Sequence, residues 1–235
     1  LPYADRPSPK NRLLFGLSQG TLDEIYSHLY PVILTQRQVI YETGEPIEQV
    51  YFIEEGVMSL LTDMADGAAI ETAMIGIEGM IGIPALLGAD GSSQQVIVQI
   101  PGTAQRMPAA LCKAAFEERA DFRNKVLRFA DVLINVTAQT AACNRLHSLE
   151  QRCARWLLMA CERGGSDTVP MTHEFLSTML GVRRAGITTA AGELQRSGMI
   201  RYRRGEVTIV NRESLADSAC ECYRADHERF ARLVC

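Results

Sequence analysis

Apolar residues change their spacing along the chain, and each change marks a change of element. Between about Tyr30 and Met107 they come in short runs, at 32–34, 38–41, 49–53, 57–61, 69–75 and 95–100. Turn-forming clusters separate the runs: Thr43-Gly44-Glu45-Pro46, Glu54-Glu55-Gly56, Asp66-Gly67 and residues 88–93. Evenly spaced short strands divided by Gly and Pro predict a jelly-roll or barrel-like sandwich. Ahead of them, residues 1–11 are polar with three prolines and read as a loose arm. Residues 12–15 and 22–29 read as short helices. Thr21 caps the second, with Asp23 and Glu24 in its first turn.

Beyond Met107 the spacing becomes helical. A single long helix is predicted over 108–146. Within it Phe122, Val126, Phe129, Leu133, Val136, Thr140 and Cys143 recur at alternating steps of four and three. That 3.5-residue repeat predicts a seam against a second helix, and hence a homodimer; a helix packed on its own domain would give a similar stripe. Residues 149–162 follow as another helix, with Trp156, Leu157, Leu158 and Met159 as core residues and Gly164-Gly165 as its stop. After residue 212 a terminal helix is expected to run to Val234.

Between these helices, residues 172–210 predict a helix-turn-helix and a wing. Thr172 is placed to cap a helix carrying Phe175, Leu176, Met179 and Leu180 on its apolar stripe, and Gly181 to end it. Ser177 is small enough to let a second helix cross closely. That helix, from about Arg184 to Gln195, turns Ile187, Ala190, Ala191 and Leu194 inward. Its outer face carries Arg183, Arg184, Thr188 and Thr189. Arginine can grip guanine O6 and N7 bidentately, and threonine can bond base edges or touch a thymine methyl. Ser197-Gly198 breaks the helix, and residues 200–203 and 207–210 alternate around Arg204-Gly205 as a hairpin.

Charge separates this reading from a pair of core helices with a solvated face. The chain's net charge is −4, yet residues 150–212 hold ten basic and six acidic side chains, whereas residues 1–105 hold four and thirteen. A basic patch on an acidic protein points to a polyanion, with Arg203 and Arg204 of the wing suited to phosphates. Length allows two domains, and 47% hydrophobic with 22% charged content is ordinary for a globular chain. No apolar run approaches the ~20 residues of a membrane span, and no secretory leader is visible. Seven cysteines, mostly on predicted helices, fit reduced thiols in a cytoplasm. Cys220-x-Cys222 lacks zinc-knuckle spacing and a second pair, so inert buried thiols and no metal site are expected.

The order of roll, long helix and winged helix-turn-helix resembles the superfamily of the cyclic-AMP receptor protein and the fumarate-nitrate reductase regulator. Residues 38–57, with glycines at Gly44 and Gly56, look like its β-roll hairpin, and residues 172–210 like its DNA-reading unit. The resemblance implies an α+β fold: a cyclic-nucleotide-binding-type β-roll over 1–107, a dimerisation helix over 108–147 and a winged helix-turn-helix over 148–235. It implies a cytoplasmic homodimeric transcription regulator, not an enzyme, that binds a pseudo-palindromic duplex and contacts RNA polymerase.

Departures from the family pattern are informative. The recognition helix often begins Ser/Thr-Arg-Glu with a second arginine one turn on. Here Arg183-Arg184-Ala185 and Thr189 stand in that register, which implies a different half-site. Residues 1–20 lack the cysteines of the iron–sulfur branch, and His28 is the one histidine before His147, so neither cluster nor haem is expected. Cyclic-nucleotide binders carry Gly-Glu after the strands and Arg-Ser on the next one. Gly82 keeps the glycine, Ile83 replaces the glutamate, and Gln94-Gln95 replace Arg-Ser. With Pro84, and with Thr137 where the family can contact a base, these residues outline an effector pocket unsuited to cyclic AMP. The effector itself stays unidentified. A cupin-like enzyme is the alternative, but the expected roll contains no histidine to hold a metal.

Overall fold

The computed structural model describes residues 9–233, so most of the expected polar arm and Val234-Cys235 lie outside the described residues. Residues 12–15 form turns rather than a helix. Helix α1 (Gln19–Ser27) begins after Ser18, not Thr21; Thr21 is buried.

Strands β1 (Tyr30–Leu34), β2 (Val39–Tyr41), β3 (Gln49–Asp63), β4 (Ala69–Ile75), β5 (Met80–Ile81) and β6 (Gln95–Pro108) make one antiparallel sheet. Its spine is the pairing of β3 with β6, from Gln49 opposite Pro108 to Leu61 opposite Gln95. The two strands expected at 49–53 and 57–61 are therefore one. Glu54-Glu55-Gly56 is a bulge, with three register shifts between Ile53 and Met58, rather than a turn. Glycine is required there on both strands. Gly56 has φ +89°, and a Cβ on it would sit 2.5 Å from the Ile100 carbonyl oxygen, while Gly102 packs against the Glu55 carbonyl. The short helix α2 (Ile83–Leu86), between β5 and β6, had no signal long enough to read.

The predicted long helix is broken. Helix α3 (Ala109–Glu118) and helix α4 (Ala120–Leu146) meet at Arg119, whose φ and ψ of −104° and 104° are not helical. Contacts with α1 redirect the chain. Asp121 accepts from Ser18 N at 2.9 Å and Thr21 Oγ1 at 2.8 Å, and Arg119 pairs with Glu24.

The seam assigned to α4 is also corrected. Phe122, Val126, Phe129, Val136 and Cys143 are at most 1% exposed within the single chain, leaving no surface for a partner. The first four belong with Phe52, Ile53 and Met80 to the core of the roll, and Leu133 packs on its edge; Cys143 is buried against other cysteines. Thr140 accepts from Arg155 Nη2 at 3.2 Å. The 3.5-residue stripe faces the chain's own domain, while Leu127, Ile134, Ala138 and Ala141 lie exposed on another face.

Helix α5 (Leu149–Gly164) starts at a capping box in which Ser148 and Gln151 exchange side-chain bonds with each other's backbone. Strand β7 (Thr168–Pro170), helix α6 (His173–Leu180), helix α7 (Arg184–Arg196), strands β8 (Ile200–Arg203) and β9 (Glu206–Ile209) follow, and β7 adds an unforeseen third strand to the wing. The terminal helix is two, α8 (Arg212–Ser218) and α9 (Cys222–Ala231), parted by an extended Ala219.

A second core unites Trp156, Leu157, Leu176, Ile187 and Leu194 with Val57, Leu61, Met74, Ile97 and Ile100 of the roll. The roll and the C-terminal half are thus packed on each other. Among the described residues no helix is long and apolar enough to cross a membrane.

Candidate nucleic-acid interface and effector pocket

Helix α6 is capped as its sequence predicts. Thr172 Oγ1 accepts from Phe175 N at 3.1 Å, and Gly181 closes the helix at φ +63°. Ile70 of β4 lies so close over Gly181 that a Cβ would meet it at 2.5 Å, which seats the turn on the roll. Ile187, Ala190, Ala191 and Leu194 of α7 are buried, and this fixes the helix's rotation. Arg184, Thr188 and Thr189 consequently face solvent on one side, with Arg183 exposed at the N-cap and making no capping bond of its own. Thr188 and Thr189 bond back to the carbonyls of Arg184 and Ala185 at 3.1 and 3.2 Å, which leaves oxygen lone pairs facing outward.

One contact here escaped the sequence. His173 Nδ1 lies 3.2 Å from Thr188 Oγ1, and its ring stacks 4.3 Å from that of Tyr202 on β8. Desolvation, then the charge of Arg184, lowers the His173 pKa, so the ring is neutral and locks α7 to the wing.

In the wing, Arg203 pairs with Glu206, and the tip residues Arg204 and Gly205 have φ of +52° and +81°. Positive φ at both central positions is the type I′ turn that matches strand twist. Arginine in that conformation is strained, and such strain concentrates at functional sites. Arg203 and Arg204 are exposed, as is Arg201, which strand alternation puts on the same face as Arg203.

A cavity of about 180 Å³ lies between the roll and α4. Gly82, Ile83, Pro84 and Gln94 line it as expected, joined by Ala130, Leu133 and Ile134 of α4. Two expected residues are not in its lining. Gln95 donates to Glu42 at 2.7 Å on the exposed side, and Thr137 bonds back to the Leu133 carbonyl at 2.9 Å. Gln94 sits in the bend before β6 and Gln95 is the strand's first residue, so their side chains part at the start of the strand. Gln94 Nε2 is held by Thr72 Oγ1 at 2.6 Å and Thr62 Oγ1 at 3.2 Å. No lining residue carries a charge. The Tyr41 hydroxyl in the wall donates to the Gln49 carbonyl, and burial raises its pKa, so it too stays neutral.

Two polar contacts link the roll to α5. Trp156 Nε1 donates to Glu71 Oε1 at 2.7 Å, and Arg163 Nε to Glu78 Oε1 at 2.7 Å. Burial pushes Glu71 up to about 7 against those partners. The expectation that Cys220-x-Cys222 stands alone is corrected as well: Cys143 and His147 join it from the end of α4.

Residues 31–119 match the family model of the cyclic nucleotide-binding domain, and residues 151–218 that of the Crp-like helix-turn-helix domain. The chain is 21% identical over 188 residues to the global nitrogen regulator of Synechococcus elongatus, covering 76% of this chain and 85% of that one. It is 22% identical over 213 residues to the CRP-like cAMP-activated global transcriptional regulator of Mycobacterium tuberculosis, covering 87% and 94%. Among solved structures, FixK2 of Bradyrhizobium japonicum superposes with a TM-score of 0.70 at 15% identity, covering 82% of this chain and 98% of that one.

Proposed function

Given that the chain belongs to the superfamily of the cyclic-AMP receptor protein and the fumarate-nitrate reductase regulator, whose members regulate transcription, we propose that it is a cytoplasmic homodimer that reads a pseudo-palindromic duplex. The observation that carries this reading is the exposed face of α7. Arg183, Arg184, Thr188 and Thr189 stand free of the core beside a wing tipped with Arg203 and Arg204, in a chain whose net charge is −4. Arg184 reads a base, and Arg183, Arg203 and Arg204 bind phosphates. The protein acts by binding rather than by catalysis, and contacts with RNA polymerase belong to the same reading by family membership.

The dimer forms through the exposed stripe of α4. Leu127, Ile134 and Ala141 are seven residues apart, with Ala138 between the last two. This is the heptad spacing of a two-helix seam, displaced around the helix from the stripe that enters the roll.

The cavity receives an uncharged or apolar molecule, or none, rather than a cyclic nucleotide. A relative in Mycobacterium tuberculosis is named as cAMP-activated. In this chain a cyclic phosphate would enter a wall without a cation. A buried phosphate needs charge-assisted bonds, about twice as strong as neutral ones. The cavity, at about 180 Å³, is also smaller than the roughly 300–1,000 Å³ of ordinary ligand sites. Because Ala130, Leu133 and Ile134 border it, an occupant would press directly on the helix that forms the dimer.

Mobility shift on a random-sequence duplex pool, paired with calorimetric titration of cyclic AMP and cyclic GMP, tests both parts. The expected result is a shifted complex without added nucleotide and no heat of binding at micromolar concentrations. A shift that requires either nucleotide, or a low-micromolar dissociation constant, would overturn the effector assignment.

A further inference from the structure

Four side chains with metal-ligand chemistry converge where α4 meets the C-terminal segment. Cys143 lies in the last turn of α4, and His147 caps that turn, its N–H donating to the Cys143 carbonyl at 3.2 Å. Cys220 lies in the link from α8 to α9, and Cys222 is the first residue of α9. Their donor atoms all lie within 4.8 Å of one another. Cys143 Sγ is 3.5 Å from Cys220 Sγ, and Cys222 Sγ is 3.7 Å from His147 Nδ1. With metal–sulfur bonds of about 2.3 Å, tetrahedral geometry puts two ligand sulfurs roughly 3.8 Å apart, so the cluster already has the size of such a site.

The surroundings fit as well. His147 Nε2 faces the Glu221 carboxylate at 3.1 Å, and Gln139 Nε2 donates to Cys222 Sγ at 3.1 Å. A carboxylate on the distal nitrogen of a ligating histidine fixes its tautomer and raises its basicity. The thiols are buried, with Cys143 and Cys222 wholly enclosed, while His147 keeps an edge toward solvent by which an ion can enter. A disulfide would use two of the three sulfurs and leave the oriented histidine without a role.

We propose that Cys143, His147, Cys220 and Cys222 bind one divalent ion of the zinc class, closed by three thiolates and one imidazole. The ion staples the end of α4 to the C-terminal segment behind the helix-turn-helix. It thereby ties the end of α4 to α9, which packs in turn on α5.

The test uses the full chain, prepared under reducing conditions, stripped with a chelator, and titrated with Co²⁺ and then Zn²⁺. One Co²⁺ per chain is expected, with thiolate-to-cobalt charge transfer and the strong visible bands of a tetrahedral ion, displaced by Zn²⁺. Glu221→Gln should weaken binding about 10–100-fold by loosening His147, and Cys222→Ser should lower the charge-transfer intensity to that of the two remaining thiolates. His147→Ala alters a side chain already partly exposed, so it keeps the fold while lowering affinity at least as much as Glu221→Gln. Cys161→Ser, outside the cluster, should leave one ion per chain. Substoichiometric cobalt, a pale octahedral spectrum, or unchanged affinity in His147→Ala would overturn the site. So would a Cys143–Cys220 disulfide recovered from protein kept reduced with Zn²⁺ present.

Discussion

At the scale of single residues, the proposed interface divides side chains that read bases from those that hold phosphates. Arg184 projects from the first turn of α7, where a bidentate contact to guanine is worth about 1–3 kcal/mol of discrimination. Arg184→Ala should therefore relax specificity at one position of each half-site in a binding titration. Arg203→Ala should weaken all sequences alike and flatten the salt dependence by about one unit. Equal losses of both kinds in both variants would refute the division of labour. Glu71 makes a different prediction. Its carboxyl ordinarily ionises near 4.5 but is held to about 7 by burial. Between those values the folded state keeps a proton that the unfolded state has lost. The stabilisation is complete below about 4.5 and disappears as pH rises through 7, up to about 3 kcal/mol in all. Glu71→Gln keeps the acceptor for Trp156 and should abolish this slope in urea denaturation between pH 5 and 8, leaving the variant more stable than wild type at pH 8. A variant with the wild-type slope would show that another group titrates.

At the scale of elements, α4 decides whether the dimer model is right. Phe129 is fully buried against Gly79 in the roll, and Ile134 is 68% exposed. Burying Ile134 against a partner helix contributes about 1.5–3 kcal/mol per side chain. Ile134→Asp should yield folded monomers by light scattering, whereas Phe129→Asp should unfold the roll. A dimer that survives Ile134→Asp would move the interface elsewhere. The sequence showed this helix's apolar repeat but not which neighbour the repeat meets. A 3.5-residue stripe identifies a packed face, and both the roll and a partner helix pack. Local signals were legible at several positions where a single residue dictates the backbone, though not at Thr21, which caps nothing, or at Gly56, which makes a bulge rather than a turn. Thr172, Gly181 and Arg204-Gly205 stand as read. What stayed hidden depends on contacts between distant segments: the break at Arg119, imposed by α1, and the side of β6 on which Gln95 falls. The cysteine–histidine cluster was hidden for the same reason, because its halves lie 77 residues apart in Cys143 and Cys220.

At the scale of the whole molecule, the roll and the DNA-reading half share one core, with Ile70 seated over the turn glycine of the helix-turn-helix. A ligand that shifts α4 must therefore also strain this packing, which gives the cavity a physical route to α7. Geometry sets the form of the target. In the proposed dimer, two α7 helices related by an axis along α4 would enter successive major grooves on one face of the duplex, with half-sites about 34 Å apart. The most direct measurement is selection of bound sequences by the purified protein from a random duplex pool, followed by sequencing. The account predicts enrichment of an inverted repeat with about one helical turn between half-site centres, lost at one position in Arg184→Ala. Enrichment of an asymmetric single site, or no enrichment at all, would contradict it.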